Sequence, residues 1–316
     1  RHVGESRDEN ARGPLDLVGS FAITAGLAGI VYAFVVSGLE GWSARAVGAL
    51  AGGTVALIAF LAYERRVANP ILPLELFAGR AFAGINVMTF LLYGALSGAF
   101  YFLPFVMILV DGYSATVTGL AMLPFLALLV VLSRYAGPAT YSLGRRTVLV
   151  AGPGVAALGF LAFALLPDLR YWPGIFPSVV LIGIGLGFTV APLTTTMIDS
   201  VPEHNVGVAS GINNAVSRVA GLLAIAVLGA ILAAAFNARL DARMNAAGFS
   251  AAQRAEVDAQ RDAMAAARHA DPRERSVVGA AYVDGFRTIA AICALLAAAS
   301  ALTAGATLAQ RSVNGR

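Results

Sequence analysis

The chain has few charges, no lysine and a single cysteine. Charged residues make up 13% of its 316 residues, whereas 58% are hydrophobic. Because soluble domains contain about 25% charged residues, this composition excludes a soluble enzyme, a nucleic-acid-binding protein and a disordered scaffold. The lone Cys293 excludes a disulfide framework or a cysteine-based metal site within the chain. All 22 basic residues are arginine, and their scatter at the ends of apolar stretches indicates membrane orientation.

Metal-binding and catalytic patterns are also absent. The three histidines, His2, His204 and His269, lie far apart in polar segments, so the sequence predicts no metal site. It contains no H-E-x-x-H, no G-x-S-x-G and no phosphate-binding loop. We therefore expect neither enzymatic activity nor a bound cofactor.

Carboxylates are missing from the middle of the apolar stretches. Asp16, Asp111, Asp199 and Glu203 all fall at or near the ends of these stretches. A proton-coupled carrier needs an ionisable group that titrates when its site changes exposure. We therefore expect a proton-carrying carboxylate to lie in a part of the protein that precedes this chain, unless coupling uses no buried acid.

Eight long apolar stretches predict eight transmembrane helices. Most of them reach the roughly 20 residues that a helix needs to cross a bilayer. Backbone groups in lipid must be hydrogen-bonded within the segment, which requires helices. The sequence therefore predicts an all-α polytopic membrane bundle with spans at about 15–37, 45–63, 82–109, 114–135, 147–166, 173–197, 206–235 and 286–309.

The arginines predict the orientation of these spans. With a cytoplasmic N-terminus, the opposite short loops contain only Arg45 and Arg170. Positive residues concentrate on the cytoplasmic side of membrane proteins, so we expect both chain ends there. The long segment 236–285 is then an extracytoplasmic loop, whose composition predicts solvated helix. The cytoplasmic side receives Arg1, Arg7, Arg12, Arg65, Arg66, Arg80, Arg134, Arg145, Arg146, Arg311 and Arg316.

One arginine lies deep within a predicted span. Arg218 stands about halfway along the seventh span, and Asn214 lies one turn before it on the same face. A charge near the bilayer centre costs several kcal/mol unless it is paired or hydrated. We expect this face to line a substrate cavity or, alternatively, to lock neighbouring helices together through backbone hydrogen bonds.

The third span carries a second polar face. Asn86, Phe90, Tyr93, Ser97 and Tyr101 recur at steps of three or four residues. A surface of aromatic rings and hydroxyls suits an amphipathic or aromatic ligand, which needs contact area more than fixed hydrogen bonds. We expect these residues to line a cavity, with a helix-packing seam as the alternative.

Several stretches together resemble one transporter family. Glu64–Asn86, Gly112–Pro124, Gly183–Gly229 and Tyr282–Ala291 are similar to the 14-span drug:proton antiporter branch of the major facilitator superfamily. The resemblance implies that an N-terminal six-helix bundle is missing from this chain. The charged start without an initiator methionine likewise predicts a fragment of a longer protein. The implied parts are a cytoplasmic segment (1–14), two central extra helices (15–63), a cytoplasmic linker (64–81), a six-helix C-terminal bundle (82–310) and a cytoplasmic tail (311–316).

A degraded family motif lies between the fourth and fifth spans. The superfamily's G-x-x-x-D-R-x-G-R-R loop corresponds here to a stretch in which Gly144, Arg145 and Arg146 remain but the Asp-Arg pair has been replaced. The loss of the Asp-Arg pair argues against the charge relay of related proteins, and we expect the two arginines to pair instead with acids such as Asp199 or Glu203 on the same membrane face to hold a closed state. Alternatively, they are plain positive-inside anchors.

The resemblance implies a function as well as a fold. We expect part of a carrier in the cell (inner) membrane that uses the proton gradient to export amphipathic drugs or toxic small molecules. Its cavity would lie between the missing bundle and the third, fourth, sixth and seventh spans. Its partners would be a small-molecule substrate and the lipid bilayer, with no nucleic acid. An exporter of one metabolite and a non-transporting membrane subunit are the alternatives.

Overall fold

The structure is a computed structural model, and it describes residues 16–67, 70–266 and 271–308. Eight helical segments in this part are long and apolar enough to cross a membrane, which confirms the all-α fold and the predicted number of spans. The predicted segments 1–14 and 311–316 lie outside the described residues. The α-helices of the described part are α1 (Leu17–Glu40), α2 (Ala44–Glu64), α3 (Arg80–Phe105), α4 (Ala115–Ala121), α5 (Leu123–Leu143), α6 (Arg145–Leu165), α7 (Phe176–Ile198), α8 (Val206–Ala246), α9 (Ala251–Asp258) and α10 (Pro272–Thr307).

Irregular helix occurs beside a proline in several spans, including the third and the fourth. The fourth span consists of α4 and α5, which meet at Met122, and Pro124 occupies the first turn of α5. The third span continues α3 past Pro104 into the π-helical turn Val106–Val110. Proline has no backbone N–H and crowds the preceding turn, so irregular helix beside it is expected.

Helices α1 and α2 form a closely packed pair. Gly53 allows the approach, because a Cβ there would lie 2.7 Å from the carbonyl oxygen of Gly26. The side chain of Asp16 caps α1 by accepting a 2.8 Å hydrogen bond from the Gly19 backbone. The pair also contacts the rest of the chain, since α1 packs against α8.

The six spans that begin with α3 form one bundle. Helix α10 packs against α3, α6 and α8, and α7 lies between α5 and α6. Phe160 and Phe286 are fully buried in the shared core. Gly185 lets α7 approach α6, because a Cβ there would lie 2.5 Å from the backbone of Gly152 and Ala156. Small residues at such crossings are typical of membrane helix packing.

Arginine side chains connect helices at one end of this bundle. Arg145 Nη2 at the start of α6 donates to Asp199 Oδ2 at the end of α7, at 2.5 Å. Arg146 Nη2 donates to the carbonyl oxygen of Gly305 in α10 at 2.6 Å. Arg80, the first residue of α3, donates to another carbonyl oxygen of α10 at 3.5 Å. The three arginines, which were predicted to share the cytoplasmic side, therefore lie at the same end of the bundle.

The predicted loop 236–285 forms a packed cap at the other end. Helix α8 continues to Ala246 and α10 begins at Pro272, with α9 and a 3₁₀ turn between them. Its helical character is confirmed for the described residues, many of which are exposed, but one apolar face of these helices is packed. Arg243 ties α8 to α10 by donating two hydrogen bonds to Asp284 Oδ2, at 2.9 and 2.7 Å. The apolar side chains buried in the cap include Leu240, Met244, Phe249, Val257 and Tyr282.

Candidate functional site

Small residues set the register between α3 and α8. Gly94 of α3 faces α8, and a Cβ built on it would lie 3.7 Å from Ala224 Cβ. Gly221 of α8 faces α3, and a Cβ there would lie 2.8 Å from Ser97 Oγ. These approaches bring the polar residues of the two helices side by side.

One polar cluster is buried between the two helices. Asn213 Nδ2 donates to Thr89 Oγ1 at 2.8 Å and to Asn86 Oδ1 at 3.3 Å. Asn86 and Thr89 in turn each donate to a carbonyl of their own helix, at 2.9 Å. Asn86 is 3% exposed and Thr89 is fully buried. Hydrogen bonds of this kind hold membrane helices together, and we call Asn86, Thr89 and Asn213 the seam.

A cavity of about 500 Å³ opens on a neighbouring face of α8. We call it the mid-membrane cavity. Arg218, its single charged lining residue, is exposed and donates from Nε to Asn214 Oδ1 at 3.4 Å. The remaining groups are aromatic, hydroxyl or aliphatic, so the cavity can offer one cation and several neutral polar contacts. Its lining residues are Tyr93, Ser97, Asn214, Ser217, Arg218, Gly221 and Leu222.

The cavity lies near the middle of the spans that form it. Tyr93 follows the first residue of α3, Arg80, by 13 positions, and Arg218 follows the first residue of α8, Val206, by 12. At 1.5 Å per residue these separations are about 20 Å and about 18 Å, in a hydrocarbon layer about 30 Å thick. Arg218 therefore lies about 18 Å along the helix from the first residue of α8, which is more than half the thickness of that layer.

The five residues predicted to share one face of the third span lie in three environments. Tyr93 and Ser97 line the mid-membrane cavity together with the predicted pair on α8. Asn86 lies in the seam and does not line the cavity. Phe90 and Tyr101 are 40% and 48% exposed and do not line the mid-membrane cavity. The helices cross, so residues on one stripe of α3 meet different neighbours along its length.

Sequence reasoning missed part of this site. Asn213 was not singled out, although it adjoins Asn214, because the spacing to Arg218 selected only the second asparagine. Ser217 and Thr89 were also missed, since hydroxyls in a helix commonly bond to their own backbone. The resemblance implied a cavity lined by four spans, whereas the mid-membrane cavity is lined by α3 and α8 alone.

The residues predicted to act in gating also lie in different environments. Arg145 pairs with Asp199, and their side chains are 36% and 53% exposed, so the pair by itself contributes little stability. Glu203 lies in a 3₁₀ turn before α8 and forms no ion pair within the described part of the chain. Arg146 bonds to a backbone carbonyl of α10. Gly144, with φ of 85°, joins α5 to α6 in a conformation that favours glycine.

A second cavity, of about 750 Å³, lies between the cap and the bundle. We call it the outer cavity. Its charged lining residues are Arg243, Arg275, Asp284 and Arg287. Arg243 pairs with Asp284, whereas Arg287 donates to two backbone carbonyls after α6, at 2.9 and 2.7 Å. Arg275 is exposed and has no ion pair among the described residues, so positive charge is in excess here.

Two aspartates lie in the short loops at this end. Arg170 donates from its backbone and from Nε to the Asp168 carboxylate, at 2.9 and 2.8 Å. These bonds lower the pKa of Asp168 below its ordinary value. Burial raises the pKa of Asp111, and the nearby charge of Asp168 adds to this shift. Neither aspartate lines the outer cavity.

Metal-type groupings do not occur in residues 16–67, 70–266 and 271–308. No three histidine, cysteine, aspartate or glutamate side chains there are placed to hold a metal ion. Cys293 is buried in the bundle core. The two cavities instead present amides, hydroxyls and guanidinium groups, which bind organic molecules by hydrogen bonds and charge.

Comparison with known proteins relates the chain to membrane exporters. The family model described as Major Facilitator Superfamily matches residues 16–225. The chain is 37% identical to the cephamycin export protein CmcT of Amycolatopsis lactamdurans, over 68% of the chain and 45% of that protein. It is 31% identical to the multidrug resistance protein Stp of Mycobacterium tuberculosis, over 72% of the chain and 42% of that protein.

A third relative gives the same picture. The puromycin resistance protein pur8 of Streptomyces alboniger is 34% identical over 68% of the chain and 43% of its own length. The matched part of the chain thus spans less than half the length of each of these relatives.

Proposed function

This chain belongs to the major facilitator superfamily, and we propose that it is part of a secondary active transporter that exports amphipathic drugs or other toxic small molecules by alternating access. The names of its relatives, which denote export or resistance, support this function. Because the matched part of the chain covers less than half of their length, the proposed activity is that of the whole transporter. An N-terminal six-helix bundle would complete it.

The mid-membrane cavity is the main structural support for a transport function. Transporters bind their substrates near the bilayer midplane, between two halves that rock against each other. Arg218 is costly in lipid, and its exposed position in a cavity with Tyr93 and Ser97 supports a role in a water-accessible binding site. The cavity volume of about 500 Å³ falls in the range of about 300–1,000 Å³ that small-molecule sites occupy.

The proposed transporter also has an energy source and an orientation in the membrane. The proton gradient would drive export without a bound cofactor, and the proton-carrying carboxylate would lie in the N-terminal bundle. The protein would be a carrier in the cell (inner) membrane and not an enzyme. Both ends of this chain would be cytoplasmic, which the grouping of Arg80, Arg145 and Arg146 at one end supports. The Arg145–Asp199 pair would hold that end closed.

A susceptibility panel tests the proposal. Expression of the gene product that contains this chain in a drug-sensitive host should raise resistance to several amphipathic compounds. Arg218→Ala should abolish this resistance while the protein persists in the membrane, because the cavity loses its one charge. Arg134→Ala is the matched control, since Arg134 is an exposed arginine of α5 that lines neither cavity. Wild-type resistance in Arg218→Ala would remove Arg218 from the site.

Export of one metabolite is the second candidate. The relative named a cephamycin export protein favours it, because that name denotes a single compound class. Resistance confined to one compound in the same panel would favour this candidate. If the wild-type protein raised resistance to nothing, export would be contradicted and a non-transporting membrane subunit would be favoured.

A further inference from the structure

We infer that the molecule exported by this protein carries an anionic group, and that this group docks on Arg218 in the mid-membrane cavity. This inference rests on the proposed export function and narrows its substrate class. Two observations support it: arginines line both cavities, and Arg218 has no anionic partner among the described residues.

Arg218 has no anionic partner among the described residues. Its described side-chain contact is the neutral Asn214 Oδ1, at a long 3.4 Å. Among residues 16–67, 70–266 and 271–308, no carboxylate lines the cavity. A guanidinium is a cation with five N–H donors and no acceptor. An anion that enters the cavity therefore removes an electrostatic cost as it binds.

The rest of the cavity suits the remainder of such a molecule. Tyr93 and Leu222 offer an aromatic ring and an aliphatic side chain, and Ser97 and Ser217 offer hydroxyls. Apolar walls with a few polar groups are typical of small-molecule sites. A carboxylate suits this cavity best, because two parallel N–H···O bonds can join it to a guanidinium. The geometry points to an amphipathic carboxylic acid.

The outer cavity extends the positive charge toward the other end of the bundle. Of its four charged residues, Arg243 and Asp284 neutralise each other. Arg287 donates to neutral carbonyls and Arg275 has no described ion pair. Two arginines of the outer cavity therefore lack a carboxylate partner among the described residues, so an anion is favoured there as well.

A pair of matched probes tests the inference. The full-length protein that contains this chain is placed in lipid nanodiscs, and binding of pyrenebutyrate and of its neutral amide is measured by fluorescence anisotropy, with binding to empty nanodiscs subtracted. The wild type should bind the acid about tenfold more tightly than the amide, as expected for one charge-assisted contact. Arg218→Gln should remove this preference by weakening acid binding alone.

Two further variants separate charge from structure. Arg218→Lys keeps the charge and should retain part of the preference for the acid. Arg134→Gln removes an exposed arginine from another span and should retain all of it. Unchanged amide binding by Arg218→Gln shows that the variant is folded. If that variant fails to fold, the wild-type preference and the lysine variant still decide the question.

Each outcome bears on one claim. Equal binding of acid and amide by the wild type, or a preference that survives in Arg218→Gln, would overturn the inference. Export restricted to neutral or cationic compounds would also overturn it while leaving the export function intact. Absence of export of any compound would instead contradict the proposed function itself.

Discussion

Helix α8 presents two consecutive asparagines to two different environments. Asn213 lies in the seam and donates to both Thr89 and Asn86 of α3. Asn214 is exposed, lines the mid-membrane cavity and accepts a long hydrogen bond from Arg218. With 3.6 residues per turn, one step along a helix rotates the side chain by about 100°. The comparison shows how the same side chain can fasten a helix in one position and remain available to a ligand in the next.

The two faces differ in how fully their polar groups are satisfied. In the seam, the Asn213 amide has two acceptors, and the groups that it binds are themselves hydrogen-bonded to backbone. At the cavity, the Arg218 guanidinium has one described side-chain acceptor for its several donors. Satisfied buried groups stabilise and rigidify a structure, whereas unsatisfied ones remain free to bind another molecule.

Among these substitutions, removal of Asn213 should change the stability of the protein most. Asn213→Leu should lower the free energy of unfolding by about 1–3 kcal/mol, because the buried Asn86 Oδ1 loses its donor. Asn214→Leu is the matched control and should change it by less than about 0.5 kcal/mol, since its side chain is exposed. Unfolding in mixed micelles titrated with a denaturing detergent measures both. Equal losses would mean that the two faces do not differ in their contribution to stability.

Neutralisation of Arg218 should act in the opposite direction on stability. Arg218→Gln should raise the free energy of unfolding by up to about 1 kcal/mol, because residues kept for binding often reduce stability. The same detergent titration detects the change. A loss of stability in this variant would indicate that Arg218 locks helices, which is the alternative that the sequence left open.

A double-mutant cycle should show which of the two asparagines interacts with Asn86. Asn86→Ala combined with Asn213→Ala should show a coupling energy of about 0.6 kcal/mol, the average for hydrogen bonds between membrane helices. Asn86→Ala combined with Asn214→Ala should show none, because these side chains share no described bond. Coupling in both cycles would place the two asparagines in one network.

The smallest effect is expected at the exposed ion pair outside the spans. The hydrogen bonds from Arg170 lower the pKa of Asp168 in the folded protein from its ordinary 3.8. Their stabilisation is therefore present above pH 3.8 and is lost as the pH falls through the lower folded-state pKa. Asp168→Asn should lower Tm slightly at pH 7 and leave it unchanged at low pH, which slightly flattens the acid limb of a Tm-against-pH curve. A large change at pH 7 would contradict this assignment.

Local sequence features predicted much of the fold and part of the site. Long apolar stretches predicted the spans, because the hydrocarbon layer selects for length and hydrophobicity. The spacing of Asn214 and Arg218 predicted a shared face, and both residues line one cavity. Arg145 was predicted to pair with Asp199 or Glu203, and the structure selects Asp199.

Other features depended on contacts between distant segments. The solvated helix predicted for 236–285 also has a packed apolar face, because apolar residues spaced along α8, α9 and α10 meet only when the chain folds back. Asn86, predicted to line a cavity, lies in the seam because the rotation of α8 turns Asn213 toward it. No pattern within either span encodes that rotation.

The sequence alone was enough to predict a membrane protein with eight spans and with most charges at the ends of those spans. Hydropathy and helical period are properties of a single segment, so they can be read without the fold. The tertiary structure decided which asparagine of α8 fastens it to α3 and which one faces the cavity. It also decided that Arg218 has a neutral partner and that the cap encloses an outer cavity. These features depend on the close approach at Gly221, and helix register is a property of the pair and not of either helix.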